Sequence, residues 1–356
     1  MPRLRRPHAS AAPALVALAL ALWSARGASQ QPEPPKGTLE RVTVHGRSLE
    51  GNLEGDSPDR AVVVYLPPSY ARDASRRYPV LYYLHGYTAT AEAYVKVLAV
   101  PDSIDRAIAA GVRDMIVVIP DAFTKYGGSM YSNSPTIGDW ETFIAQELPA
   151  FIDKRYRTVA SREGRGLAGH SMGGYGTMRV GMKQPSAFAA LYAMSSCCLM
   201  NDPAAGRGAG ARGEGAQGRG DGAGRAEGPG RGGAMANALS AQAAAWAPNP
   251  QNPPQFFDLP TKDGQIQPLI AAKWPANSPL VMVDQHVPAL TSMRGIALDI
   301  GDQDPFVSTN RQLAEALTRL DVPNSLEIYE GDHGNRVRER FESHVLRFFS
   351  QHLGAR

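Results

Sequence analysis

Gly169-His170-Ser171-Met172-Gly173-Gly174 places a serine hydroxyl among small residues in the pattern G-x-S-x-G. With glycine at about one residue in ten, the bare pattern arises too easily by chance to carry a function alone. Its flanks make it specific. Arg165-Gly166-Leu167-Ala168 reads as a short strand running into the motif, and 172–183 reads as a helix whose Gly173, Gly174 and Gly176 allow close packing on that strand. A strand, a sharp turn and a helix form a nucleophile elbow, which exposes the serine oxygen on a strained turn. The helix N-terminus behind Ser171 favours developing negative charge.

A serine hydroxyl is a poor nucleophile near neutral pH and needs a base, a group that orients the base, and donors for an oxyanion. Where this elbow caps an α/β sheet, the chain order is Ser, then Asp or Glu, then His. His286 precedes the acid candidates, His344 lies in an amphipathic helical run, and His352 lies in the tail. His333, in Glu330-Gly331-Asp332-His333-Gly334, follows the last strand candidate and is the expected base. The acid is sought in Gly301-Asp302-Gln303-Asp304-Pro305-Phe306. Asp304, beside rigid Pro305, is the choice and Asp302 the fallback, while Asp299 falls inside the preceding strand. The spacing of these aspartates does not suit a calcium loop. The oxyanion donors are expected to be the Met172 amide and, from Leu84-His85-Gly86-Tyr87, the Tyr87 amide. His85 and His170 then take structural roles. Nothing in this constellation calls for a metal or a cofactor.

These residues need a scaffold of short strands and helices. Continuous apolar runs at 79–84, 115–119, 165–168, 189–194, 295–300 and 325–329 read as buried parallel strands. Helical stretches at 91–98, 104–110, 139–155, 172–184, 309–320 and 336–352 fall between them. The alternation predicts an α/β fold, with a mostly parallel central sheet flanked by helices. Before it, 61–66 reads as a strand and 39–53 as hairpin strands. Residues 38–202 and 255–356 would form this single domain. Between them, 203–254 is rich in Gly, Ala, Arg and Pro with little apolar periodicity, so a flexible insertion is expected there.

Residues 1–28 read as a secretory signal peptide: Arg3, Arg5 and Arg6, an apolar run over 11–23, then small residues. A Pro-rich linker follows at 29–37. Export to the periplasm or outside the cell, with no membrane span after cleavage, is the expectation. The net charge of +3 is misleading, because four arginines precede Gly27 and the tract 203–235 carries +2, which leaves the body at −3. Such a body gives no electrostatic reason to bind nucleic acid. The two cysteines, Cys197 and Cys198, are adjacent and too few for a disulfide scaffold or a zinc site. They read as small buried groups at a strand end.

Taken together, these residues resemble the putative esterase (esterase D-like) family of α/β hydrolases, which includes S-formylglutathione hydrolases, feruloyl esterases and secreted mycolyltransferases. The resemblance covers about 38–200 and 275–352. It rests on Val63-Val64-Tyr65-Leu66-Pro67-Pro68, Leu84-His85-Gly86, Tyr131-Ser132-Asn133-Ser134, Gly138-Asp139-Trp140-Glu141-Thr142-Phe143, the Ser171 motif, the 301–306 loop and Gly331-Asp332-His333. It implies an α/β-hydrolase fold, Ser171, Asp304 and His333 as a triad, and the Tyr87 and Met172 amides as the oxyanion hole. It further implies Trp140, Tyr131 and Gly86 as substrate contacts. Two departures stand out: Gly334-Asn335-Arg336 where many relatives carry an H-D-W run, and the insertion itself. The expected activity is hydrolysis of a small-molecule or polysaccharide-linked carboxylic ester through an acyl-enzyme. Acyl transfer to a sugar or other alcohol, or a noncatalytic binding role on the same scaffold, are the alternatives.

Overall fold

The computed structural model describes residues 1–2, 36–201, 203 and 231–354. The expected signal peptide, the linker up to residue 35 and 204–230 of the insertion lie outside the described residues. The chain divides into two units, Met1–Pro35 and Lys36–Arg356, and the second contains the sheet.

That sheet has eight strands: β1 (Thr38–His45), β2 (Asp59–Leu66), β3 (Val80–Leu84), β4 (Ile116–Pro120), β5 (Arg165–His170), β6 (Ala190–Met194), β7 (Gly295–Gly301) and β8 (Ser325–Tyr329). Their spatial order is β1-β2-β4-β3-β5-β6-β7-β8. β1 and β2 pair antiparallel, as do β2 and β4, and every pairing from β4 to β8 is parallel. β3 and β4 are buried at every residue because helices cover both faces, which is why they read as unbroken apolar runs. β8, at the edge, instead alternates exposed Ser325 and Glu327 with partly buried Leu326 and Ile328. One expectation fails in the N-terminal region. Residues 39–53 do not form a hairpin: β1 ends at His45, a short 3-10 turn follows at Arg47–Leu49, and β1 pairs with β2 instead. Leu49 is the reason, since it turns into the core rather than continuing a strand.

The helices that matter for the site are α1 (Ala91–Val97), α2 (Met172–Lys183), α3 (Arg231–Trp246) and α4 (Val307–Arg319). α2 is buried from Met172 to Met182. It packs so closely on the sheet that a Cβ at Gly173 would meet the Leu84 carbonyl oxygen at 2.0 Å, and one at Gly169 would meet the Gly173 carbonyl oxygen at 2.4 Å. Glycine at both positions is therefore a packing requirement of the elbow.

α3 and the chain after it correct the expected flexible insertion over 203–254 in its described part, 231–254. The last turns of α3 are Ala-rich, and alanine is the best helix former. Ala243, Ala244 and Trp246 are buried, with the Trp246 ring 5.7 Å from Tyr175 of α2 and 5.3 Å from Trp274. The chain beyond α3 is tied back as well, by Asp258 N–H to the Ala247 carbonyl and by the Phe256 carbonyl, which accepts from Asn249 N–H and Thr136 Oγ1. The small side chains of α3 let its backbone come close to 133–134, where Ser134 Oγ donates to the Ala244 carbonyl at 2.6 Å. Among the described residues no helix is long and apolar enough to cross a membrane.

Candidate active site

Ser171 sits between β5 and α2 with φ 58° and ψ −115°, a strained backbone for any residue but glycine. Its surroundings enforce that geometry. Ser171 N–H donates to the Met194 carbonyl (3.0 Å), and the Ser171 carbonyl accepts from Tyr175 N–H (3.0 Å) and Cys197 N–H (3.3 Å).

Asp304 follows β7 and His333 follows β8, so adjacent parallel strands deliver both beside Ser171. His333 Nε2 lies 2.9 Å from Ser171 Oγ, and His333 Nδ1 lies 2.8 Å from Asp304 Oδ2. Burial alone would push the Asp304 carboxyl up. The hydrogen bonds from His333 and the Phe306 amide, with the charge of His333, outweigh it and hold the group below the usual carboxylate range. An ionised carboxylate only accepts, so Nδ1 carries the imidazole proton and Nε2 offers its lone pair to the serine hydroxyl. This geometry can withdraw a proton from Ser171. Phe306 packs edge-on against the His333 ring at 5.4 Å.

Asp302, the fallback acid, faces elsewhere. Its Oδ1 accepts the Gly331 amide at 3.0 Å, and Gln303 N–H donates to the Gly331 carbonyl, so it laces the acid loop to the histidine loop. Asp299 is buried in β7, where it accepts from Tyr192 Oη and Arg340 Nε, both at 2.9 Å.

Two further histidines support the site. His85 Nε2 accepts the Ala122 amide (2.8 Å), which leaves Nδ1 as a donor to the Gly86 carbonyl (2.8 Å). That bond fixes the turn carrying the Tyr87 amide. Tyr131 Oη donates to the His85 carbonyl from below (3.0 Å). Among the described residues, neither the Tyr87 nor the Met172 amide has a hydrogen-bond partner, as donors reserved for an oxyanion would require. Gly86 lies against the nucleophile: a Cβ there would come 3.4 Å from Ser171 Cβ and 2.7 Å from the Tyr94 hydroxyl.

Two expected substrate contacts are not at the surface of the site. Tyr131 is fully buried, spent on the His85 carbonyl and packed where a Cβ at Gly176 would touch its ring. Trp140 is 1% exposed, donates its indole N–H to the Ile137 carbonyl (2.9 Å) and lies under Arg60. Both hold up the scaffold and leave no face for a ligand.

Sequence alone gives His170 a structural role, and its partners define what that role is. Its Nε2 lies 2.7 Å from the His333 carbonyl, which can only accept, so Nδ1 must accept from Tyr94 Oη at 2.6 Å. His170 thereby anchors the backbone of His333. Burial, then the neighbouring His333, lowers its pKa to about 4. Between pH 4 and about 6.5 the unfolded chain thus binds a proton that the folded one does not. Stability should fall by about 3 kcal/mol as pH drops through this window, because each pH unit between the two values is worth about 1.36 kcal/mol. Asp299, raised to about 6 chiefly by burial, works in the opposite sense. The measurement is therefore the difference in urea unfolding between wild type and His170→Gln from pH 7 to pH 4. The gap should narrow on acidification, and a constant gap would refute the assignment.

The family described as putative esterase matches residues 57–352. Esterase MT1326 of Mycobacterium tuberculosis (strain CDC 1551 / Oshkosh) is 40% identical over 136 residues, covering 36% of this chain and 27% of that protein. An endo-1,4-beta-xylanase/feruloyl esterase of Xylanibacter ruminicola is 32% identical over 159 residues, covering 43% of this chain and 20% of its own length. The chain thus spans about a quarter of the length of these relatives. Among solved structures, a ferulic acid esterase superposes with a TM-score of 0.61 at 23% identity, covering 90% of this chain and 99% of that one. At that identity the likeness speaks for the α/β-hydrolase fold.

Proposed function

The chain belongs to the putative esterase family, and from that premise we propose that it is an exported serine esterase that cleaves a carboxylic ester through an acyl-enzyme. The observation that carries this reading is the unbroken chain of hydrogen bonds from Asp304 through His333 to Ser171 Oγ. In the proposed cycle His333 takes the serine proton as Ser171 attacks the acyl carbonyl. The Tyr87 and Met172 amides bind the oxyanion, and His333 then protonates the leaving alcohol. Water, activated by the same imidazole, releases the acid. Asp304 holds the imidazole in the correct tautomer and stabilises its protonated form. Export rests on the signal-peptide pattern of residues 1–28.

The test is an ester panel on protein lacking residues 1–28: p-nitrophenyl acyl chains of increasing length, methyl ferulate, acetylated xylan and S-formylglutathione. Short p-nitrophenyl esters should turn over. The natural acyl group should show itself as the substrate with the highest kcat/KM, because binding energy realised in the transition state is read in that ratio. Absence of turnover on every member would sink the reading. Adding a sugar alcohol during p-nitrophenyl ester cleavage separates hydrolysis from acyl transfer: a hydrolase should yield free acid alone.

A further inference from the structure

Cys197 and Cys198, the only cysteines of the chain, lie on the segment that follows β6. The end of β6 and this segment grip the elbow together: the Met194 carbonyl accepts the Ser171 amide, and the Cys197 amide donates to the Ser171 carbonyl. Asn310 Nδ2 of α4 clamps the segment at the Ser196 carbonyl (2.8 Å). Cys197 is buried. Cys198 is partly exposed, and its sulfur accepts from Gln242 Nε2 of α3 at 3.4 Å. In an extended chain neighbouring thiols point to opposite faces. Here Cys198 has φ 60°, which turns the chain out of the extended form. Cys198, the partly exposed thiol, is the one that an oxidant in solvent reaches first, while the neighbouring Cys198, then burial, raises the Cys197 thiol.

We propose that Cys197 and Cys198 are an oxidisable dithiol, closed to a vicinal disulfide by a low-molecular-weight disulfide, and that closure switches off the chemistry at Ser171. Cys198 thiolate attacks one sulfur of the oxidant and expels one thiolate. Cys197, yielding its proton to solvent, then attacks the Cys198 sulfur and expels the second. One external disulfide is reduced to two thiols, and the protein gives up two electrons and two protons. The consequence reaches the site through one peptide group. The Ser171 carbonyl that Cys197 N–H holds belongs to the same planar unit as the Met172 N–H. Neighbouring Cα atoms stand about 3.8 Å apart, below the roughly 4.4–6.8 Å usual for a disulfide, so the backbone at 197–198 must shift to close the ring. That shift removes one of the two donors on the Ser171 carbonyl, leaving Tyr175 N–H alone, and lets the peptide unit tilt so that the Met172 amide is mis-aimed. The same strain makes the bond easy to reduce, as suits a reversible bridge.

The proposal rests on the esterase reading for its activity readout alone, since thiol counting is independent of it. The experiment incubates the full chain with oxidised glutathione, then measures free thiols after denaturation, intact mass, and p-nitrophenyl acetate turnover. Both thiols should disappear, and the mass should drop by two hydrogens with no glutathione adduct. Turnover should fall about a hundredfold, the cost of misplacing one oxyanion donor, and return with dithiothreitol. Cys198→Ser should keep its basal turnover and ignore the oxidant, with Cys198→Ala as the second variant should the first not fold. Two thiols still free, a stable glutathione adduct, or full turnover with the ring closed would each overturn the proposal. Thiol closure in a chain without any esterase turnover would uphold the dithiol and overturn the esterase reading.

Discussion

Ser171→Ala should lower kcat on p-nitrophenyl acetate about a millionfold, the cost of removing the nucleophile from a cooperating triad. The fold should survive. Ser171 Oγ bonds to His333, and the strained backbone is held by the Met194 carbonyl, Cys197 N–H and Tyr175 N–H, none of which involves the side chain. The thermal midpoint should therefore stay within a few degrees of wild type, as for substitutions that leave packing intact. Measuring turnover and unfolding on the same preparation separates loss of chemistry from loss of structure. Turnover near the wild-type rate in a folded variant would end the acyl-enzyme mechanism.

How far the sequence leads depends on what each residue's identity constrains. The β3 and β4 runs are legible because both faces are buried, so nearly every position has to be apolar or small. The elbow is legible because Gly169 and Gly173 are forced by backbone atoms 2.0–2.4 Å from any added Cβ, and such constraints leave a compositional trace. Asp304 over Asp302 is a choice that Pro305 favours, and the structure separates the two by where their oxygens point. Trp140 and Tyr131 go astray for the opposite reason: a motif reveals that a residue belongs, not which way its side chain faces. α3 is hidden because, Trp246 aside, its buried residues are alanines, which bury little and give no amphipathic contrast. Hydrogen-bond direction is also beyond reach. Only with partners in place does His170 become the anchor of the His333 backbone and His85 the lock on the Gly86 turn.

Asp304→Asn should cost about 10⁴ in kcat, as loss of the correct imidazole tautomer does, and the structure gives the reason. Asp304 Oδ1 accepts the Phe306 amide at 2.8 Å, so the carbonyl oxygen of an asparagine must take that position. Its NH₂ then occupies the place of Oδ2, 2.8 Å from His333 Nδ1. Because an amide nitrogen only donates, Nδ1 must become the acceptor. The imidazole proton moves to Nε2, where it points at Ser171 Oγ and cannot receive the serine proton. Volume and packing hardly change, so KM should move little while kcat collapses. Asp302→Asn is the matched control. Its carboxylate accepts the Gly331 amide, a bond that an asparagine oxygen can still make, so its kcat should stay within a few-fold of wild type. Comparing kcat for the two variants decides between the acids. If Asp302→Asn collapsed and Asp304→Asn did not, the hydrogen-bonded order Asp304, His333, Ser171 would not be the catalytic one.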